Sequence, residues 1–169
     1  MIKVVKRFKN QYMMVMTCVV VEGNNDKNRR VLIIKRSPNE SEGPSLWTIP
    51  GGRIEPTDWK RLKMPGVKRN YFVGGFKKAC RREIKEETGL EANKFHILAE
   101  QEIMFIRSSG QPTIVLAFWT QRSKWPRASL NKKSGSYRWI RASELDNYQF
   151  IGDVKTCIRA ALKAVSTGS

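Results

Sequence analysis

Apolar residues along this chain fall into short runs separated by glycine, proline and asparagine, a pattern typical of strands joined by turns. Clusters of turn-forming residues at 23–26 and 108–112 divide neighbouring runs as the turns of hairpins do. The runs predict these strands: Tyr12 to Glu22, Arg30 to Lys35, Trp47 to Ile49, His96 to Arg107, Thr113 to Gln121 and Ser136 to Ile140.

Two longer segments repeat their apolar residues every three or four positions, which predicts helices. The first is Gly75 to Thr88, followed by Gly89 as a C-cap, and the second is Ile151 to Val165. A shorter helix is expected to begin near Ala142. Strands flanked by a few helices predict an α/β fold, an α/β/α sandwich around a mixed β-sheet.

The first helix carries carboxylates where a helix of this pattern should be apolar. At about 100° per residue, Glu83 and Glu87 fall within the apolar stripe and Glu86 lies at its border. Two such charges about 5 Å apart repel by roughly 3 kcal/mol at an effective dielectric constant near 20. A surface helix held by ion pairs such as Arg82 with Glu86 is the ordinary alternative, but clustered oxygen ligands favour Mg²⁺ or Mn²⁺.

These residues resemble the signature of the Nudix hydrolases, G-x5-E-x7-R-E-U-x-E-E-x-G-U, in which U is aliphatic. Residues 47–55 read WTIPGGRIE and are similar to the strand and Pro-Gly-Gly turn that precede the family's helix. The resemblance covers roughly Met13 to Val165 and implies the same sandwich fold. The second half of the signature matches at every fixed position: Arg82, Glu83, Ile84, Glu86, Glu87, Gly89 and Leu90.

The chain departs from the signature between its two halves. An insert of about sixteen residues, Trp59 to Gly74, separates the Gly-Gly turn from the helix. Counted forward from Gly52, the first acid of the signature is Asp58, whereas counted back from Arg82 its position holds Gly74. The early acid is therefore either replaced by Asp58 or missing.

The resemblance implies a metal-dependent attack of water on a diphosphate. Glu83, Glu86 and Glu87, with the carbonyl oxygen of Gly51, would hold Mg²⁺ or Mn²⁺, which neutralises the diphosphate and stabilises its leaving group. Glu83, Glu86 and Arg82 are the candidate catalytic residues, with Arg82 expected to anchor a glutamate from behind.

The general base stays open at this point. Glu83 is one candidate, whereas other family members use an acid from a later loop. The corresponding loop here, residues 131–138, contains no acid. Glu102 or Glu55 could replace it, although each is more often structural or solvent-facing.

Composition is consistent with one globular domain over residues 1–169, with a core at about 13–165. Cys18, Cys80 and Cys157 are odd in number and share no ligand-like spacing, so we expect reduced core thiols, no zinc site and a cytoplasmic protein. The apolar run from residue 13 to 21 is too short to span a bilayer, so no membrane association is expected.

A formal net charge of +17 is the remaining feature of the composition. Part of it lies in and beside the insert, together with Trp59 and Tyr71, so the insert could grip a polynucleotide or stack a base. A basic surface without a specific partner is the plainer alternative. Candidate substrate-binding residues are Arg53, Glu55, Trp59 and Arg36.

Three functions follow from these observations. The leading one is an Mg²⁺-dependent hydrolase that cleaves the pyrophosphate linkage of a nucleoside diphosphate linked to another moiety, with a nucleotide or the 5′ end of RNA as substrate. A non-catalytic RNA-binding module on the same fold would not need the three glutamates. A metabolite-sensing regulator would be expected to carry a second, DNA-binding domain. Oligomeric state is not predicted.

Overall fold

The fold was obtained as a computed structural model, which describes residues 12–63, 71–129 and 134–168, without the side chains at 102, 134 and 135. Within these ranges no helix is long and apolar enough to cross a membrane. The strands are β1 (Met13–Glu22), β2 (Arg30–Arg36), β3 (Trp47–Thr48), β4 (Gly51–Arg53), β5 (Lys60–Leu62), β6 (Tyr71–Val73), β7 (His96–Ile106), β8 (Pro112–Arg122) and β9 (Ser134–Ile140). The helices are α1 (Gly75–Thr88) and α2 (Val154–Thr167), with 3₁₀ turns at Pro56–Asp58 and Ala142–Asn147.

The main sheet is mixed. Its central path runs β3-β2-β1-β8-β7, with β4 paired to β1 and β9 paired to β2. β1 and β8 are parallel along their full length, from Met13 opposite Thr113 to Glu22 opposite Arg122, whereas the other pairs are antiparallel. The predicted mixed sheet is therefore confirmed.

The buried strand β1 divides its side chains between the two helices. Met16 and Cys18 belong to the apolar cluster that contains Ile84 of α1. Val19, on the other face, belongs to the cluster that contains Ile158 of α2. Because successive side chains of a strand point to opposite faces, one apolar strand supports a helix on each side. This arrangement is the predicted α/β/α sandwich.

Helix α1 has the bounds that its periodicity predicts. Gly74 at its start and Gly89 at its end both adopt left-handed backbone angles, with φ of 77° and 69°. The Gly89 N–H donates to the carbonyl of Lys85 at 2.9 Å, which confirms it as a C-cap. The fixed ends of the helix therefore determine the directions in which the glutamates of its last two turns point.

The predicted start of the last helix is wrong. Helix α2 begins at Val154 and not at Ile151, because Gly152 adopts a left-handed φ of 50° that a helix cannot continue through. The short helix expected to begin near Ala142 does begin there, as a 3₁₀ helix that ends at Asn147.

The insert forms a second, two-stranded sheet next to α1. β5 pairs antiparallel with β6, with Lys60 opposite Val73 and Leu62 opposite Tyr71. Residues 64–70, which contain the turn expected at Pro65-Gly66, lie outside the described part of the chain. The hairpin follows the 3₁₀ turn at Pro56–Asp58 and is followed by α1.

Candidate active site

The glutamates of α1 differ in exposure in the way the helical pattern predicts. The Glu83 side chain is 13% exposed, Glu87 is half-buried, and the Glu86 side chain is 56% exposed. Glu83 and Glu87 are one turn apart and face β4, whereas Glu86 lies at the solvent edge of the same group.

The two glycines of β4 allow this close approach. A Cβ at Gly52 would lie 2.2 Å from Oε1 of Glu83, so a larger residue would displace the carboxylate. The Gly51 N–H donates to Oε2 of Glu87 at 3.0 Å, and a Cβ at Gly51 would lie 2.4 Å from the carbonyl oxygen of Met16. Gly52 is required because strand and helix meet there without room for a side chain, and Gly51 because its backbone packs directly against β1.

Arg82 joins the helix to the turn that precedes the insert. Its Nε and Nη2 donate to the two carboxylate oxygens of Asp58 at 3.1 and 3.0 Å, and Nη2 also donates to the carbonyl of Arg53 at 2.8 Å. Nη1 donates to Glu83 at 2.7 Å and to Glu86 at 3.3 Å. Arg82 thus holds Glu83 and Glu86, whereas Glu87 is held by the N–H of Gly51.

Asp58 is the acidic partner that the interrupted signature left open. Its side chain is 1% exposed and also accepts the Glu55 N–H at 2.9 Å. Burial alone would raise the pKa of Asp58, but the hydrogen bonds from Arg82 and Glu55 outweigh it and hold the pKa below its usual value. Gly74, the alternative position for this acid, is instead the N-cap of α1.

Without a bound metal ion, the ionised forms of the clustered carboxylates are disfavoured. Burial raises the pKa of Glu87 to about 8, because the single N–H of Gly51 does not offset the loss of water and the charge of Glu83 adds repulsion. Burial also raises the pKa of Glu83, against the opposing effect of Arg82. A positive ion beside these two groups would remove the penalty.

The segment after β2 approaches the same glutamates. Nε of Arg36 donates to the carbonyl of Glu42 at 2.7 Å, and its Nη2 pairs with Glu40 at 3.0 Å. The charge of Arg36 lowers the pKa of Glu87 and that of Glu40 raises it, so both lie near the site. Sequence reasoning included Arg36 but missed Glu40, whose spacing from Arg36 by four residues was the available signal.

The remaining candidates lie around the turn that starts the insert. Arg53 is exposed and contributes its carbonyl to Arg82. The Glu55 side chain is 54% exposed, with Oε1 3.8 Å from Nη1 of Arg82. Trp59 packs against the first turn of α1, with its ring centre 5.2 Å from that of Phe76. The side chain of Glu102 lies outside the described residues.

The donor set suits a hard divalent cation, although the carboxylates are not drawn together. Among the described residues, no three carboxylate, imidazole or thiol side chains form a ready-made metal cluster. Glu83 and Glu86 are instead paired with Arg82, and Glu87 is bonded to Gly51. Ligands that supply only oxygen atoms, next to open solvent, fit a hard ion that keeps several waters.

Comparison with known proteins is consistent with this geometry. The NUDIX domain model matches residues 13–156. No curated protein matches the sequence significantly.

Several solved structures share the fold. The NUDIX domain of Shewanella oneidensis NrtR complexed with ADP ribose is 16% identical with a TM-score of 0.70, over 95% of this chain and 92% of that chain. A Caenorhabditis elegans Ap4A hydrolase is 16% identical with a TM-score of 0.65, over 93% of this chain and 99% of that chain.

A third structure contains a metal ion. It is a bifunctional NMN adenylyltransferase/ADP ribose pyrophosphatase from Francisella tularensis, complexed with AMP and a manganese ion. Its identity is 16% and its TM-score 0.62, over 92% of this chain and 42% of that chain.

At these identities the structural matches show a shared fold. The family model, in contrast, spans most of the sequence, including the Gly-Gly turn, the insert and the glutamate helix. The chain therefore belongs to the Nudix family of pyrophosphohydrolases.

Proposed function

We propose that this protein hydrolyses the pyrophosphate linkage of a nucleoside diphosphate linked to another moiety, with Mg²⁺ or Mn²⁺ as cofactor. The observation that carries the proposal is the pair of recessed carboxylates, Glu83 and Glu87, held against the Gly51-Gly52 turn. A structural role alone would not account for two recessed acids with raised pKa values on one face of a helix.

Glu83, Glu86 and Glu87, with the carbonyl of Gly51, would hold the metal. The bound cation would neutralise adjacent phosphate oxygens and stabilise the leaving phosphate. Burial of Glu87 and the repulsion between Glu87 and Glu83 support this role, because a cation would compensate both. The manganese in the Francisella tularensis structure supports the same class of ion.

The other residues of the proposed site would orient the metal ligands or act as the general base. Arg82 would orient Glu83 and Glu86, since it donates to both and is itself fixed by Asp58. Glu83 is our candidate general base among the described side chains, because its recessed carboxylate lies within the proposed site, next to Gly52. Glu55 is the alternative, at the exposed side of Arg82.

Turnover of a substrate panel tests the proposal. The purified protein is incubated with Mg²⁺ and ATP, 8-oxo-dGTP, ADP-ribose, diadenosine tetraphosphate or 5′-triphosphorylated RNA, with and without chelator. We expect one class to be hydrolysed clearly faster than the others and chelator to abolish the reaction. Absence of turnover on every substrate, with tight RNA binding, would support a binding module in place of a hydrolase.

A matched pair of variants ties the activity to the site. Glu86→Gln removes a ligand charge with little change in shape and should lower kcat by about 100- to 1,000-fold. Glu91→Gln is the control, because Glu91 is an exposed glutamate near the end of the same helix that pairs only with Lys85 among the interactions described for it. Full activity of Glu86→Gln would remove the proposed metal site.

The 5′ end of RNA is a second candidate substrate. Exposed Lys60, Arg61 and Lys63 lie on the first side of the hairpin, beside the proposed site. A longer polyanion would contact more of these charges than a free nucleotide does, so its KM should rise more steeply with salt. Equal salt dependence for triphosphorylated RNA and ATP would exclude this substrate preference.

A further inference from the structure

The hairpin of the insert bounds a groove that the proposed carboxylate site does not use. The groove has a volume of about 650 Å³ and is lined by Ile54, Glu55, Pro56, Trp59, Tyr71 and Phe72. Its volume lies within the range of small-molecule sites in proteins, roughly 300–1,000 Å³. Three of the six lining residues are aromatic, which gives the groove a wall of flat apolar surface.

Trp59 is the fixed part of this wall. A Cβ at Gly75 would lie 2.4 Å from the indole ring, so the ring rests directly on the backbone at the start of α1. Phe76 contacts the same ring edge to face, with ring centres 5.2 Å apart. Nζ of Lys78 donates to the carbonyl of Thr57 at 2.5 Å, which ties the preceding turn to the helix. The indole therefore needs little ordering when a ligand binds.

The part of the groove that the hairpin contributes is apolar and exposed to solvent. Tyr71 and Phe72 are 43% and 54% exposed, and their neighbours Leu62 and Val73 are 42% and 43% exposed. Tyr71 is paired with Leu62 and shares one face of the hairpin with it and with Val73, whereas Phe72 lies on the other face. Apolar surface is therefore exposed on both faces of this short hairpin, which indicates a contact surface. Exposed Lys60 and Arg61 lie on the same hairpin, so the apolar surface is accompanied by positive charge.

The groove is continuous with the carboxylate site through one residue. Glu55 lines the groove, and its Oε1 lies 3.8 Å from Nη1 of Arg82. The same Nη1 donates to Glu83 and Glu86. A molecule with phosphates at the glutamates would therefore extend past Glu55 toward the aromatic side chains.

From these contacts we infer that the groove of Trp59, Tyr71 and Phe72 binds the nucleobase of the substrate by stacking. This inference rests on the proposed hydrolase function for the position of the phosphates. A nucleobase is the occupant that matches a flat aromatic wall, flanking positive charge and an adjoining diphosphate site. Stacking is tolerant of base identity, so the groove selects nucleotides over base-free phosphates and does not choose among bases.

Binding of two ligands without an anhydride bond tests the inference apart from catalysis. AMP and ribose 5-phosphate differ only by the base, and isothermal titration calorimetry with Mg²⁺ gives the Kd of each. We expect AMP to bind about five- to tenfold more tightly, the low end of what a stacked base contributes. Equal affinity of the native protein for the two ligands overturns the inference.

Alanine variants of the hairpin test whether the groove causes the preference for AMP. Tyr71→Ala and Phe72→Ala should each remove most of the preference for AMP without lowering the melting temperature, because both side chains are exposed. Tyr12→Ala is the matched control, since Tyr12 is 56% exposed next to β1 and lines a separate pocket bounded by β7 and β8. A preference for AMP that survives in both hairpin variants overturns the assignment.

Kinetics separates failure of this inference from failure of the proposed function. With any substrate that is turned over, the hairpin variants should raise KM and leave kcat within about twofold. A protein that prefers AMP through Tyr71 and Phe72 but hydrolyses nothing in the panel would refute the hydrolase and retain the base site. Normal hydrolysis with unchanged KM in both variants would refute the base site alone.

Discussion

At the scale of single residues, Asp58 occupies the first acidic position of the signature, counted from Gly52, and pairs with Arg82 on the far side of the insert. Asp58 lies 24 residues before Arg82 in sequence, yet its two carboxylate oxygens accept hydrogen bonds from Nε and Nη2 of the guanidinium. The insert lengthens the chain between Asp58 and Arg82, whereas the turn at Pro56–Asp58 fixes where Asp58 lies in space.

Asp58→Ala should destabilise the protein strongly. Removing one partner of a buried pair leaves the other charge uncompensated, which costs about 3–5 kcal/mol, and the remaining carboxylates near Arg82 place the expected loss at about 3 kcal/mol. Chemical denaturation measures it. Asp146→Ala, which removes an exposed acid paired with Lys155 and Arg159, should change stability little.

The same variant has a defined pH dependence. The folded pKa of Asp58 is below its usual value of 3.8, so its stabilisation is complete above that pH and is lost as the pH falls through the folded value. The difference in unfolding free energy between native protein and Asp58→Ala should therefore be constant near neutrality and shrink in acid. A difference that grows in acid would contradict the assigned pair.

At the scale of elements, the site depends on the contact between β4 and α1. The strand is three residues long and contributes no side chain at two of them, Gly51 and Gly52. This bare backbone lets the helix bring Glu83 and Glu87 against the sheet. The strand was not among those predicted, because a run of two glycines carries no β-strand pattern.

Gly52→Ala should separate activity from stability. The new Cβ would lie 2.2 Å from Glu83 Oε1, so the carboxylate must move by more than 1 Å, and misplacement of this size costs about 100-fold in kcat. The side chain can rotate away, so the melting temperature should fall only slightly. Steady-state kinetics and thermal unfolding on one preparation measure both.

Gly152→Ala provides the opposite pattern as a control. Its Cβ would meet nothing within 4 Å, but its φ of 50° is unfavourable for alanine. We expect lower stability with unchanged kcat. Equal activity loss in the two variants would mean that kcat follows general destabilisation and not the position of Glu83.

At the scale of the whole molecule, the net charge of +17 acts on both stability and substrate capture. Excess charge of one sign repels itself in the folded state and attracts polyphosphates from a distance. Carboxylates that offset this charge locally include Glu83, Glu86 and Asp58, all of which contact Arg82. The site is thus a small acidic region within a basic surface.

Added salt should increase the thermal stability of the protein and weaken its capture of substrate. The screening length falls from about 10 Å at 0.1 M to about 3 Å at 1 M ionic strength, which weakens self-repulsion and long-range attraction together. The melting temperature should rise while KM for a polyphosphate substrate rises several-fold, as thermal unfolding and kinetics at matched salt concentrations would report. A falling melting temperature would mean that the ion pairs contribute more to stability than the repulsion subtracts.

The sequence by itself determined the features that depend on local pattern. Period-2 and period-3.6 apolar repeats predicted most strands and α1, and Gly89 predicted the end of that helix. The placement of Glu83 and Glu87 on the inner side follows from helical geometry alone, since rotation per residue is the same in every α-helix. The Nudix resemblance followed from those same residues.

Only the tertiary structure decided how distant segments meet. It brought Asp58 to Arg82 across the insert, placed Gly52 against Glu83, and folded the insert into a hairpin whose Tyr71 and Phe72 face a groove with Trp59. The sequence named Asp58, Trp59 and Tyr71 as candidates but did not predict these contacts, because side chains far apart in sequence are joined by packing and hydrogen bonding that depend on the whole fold.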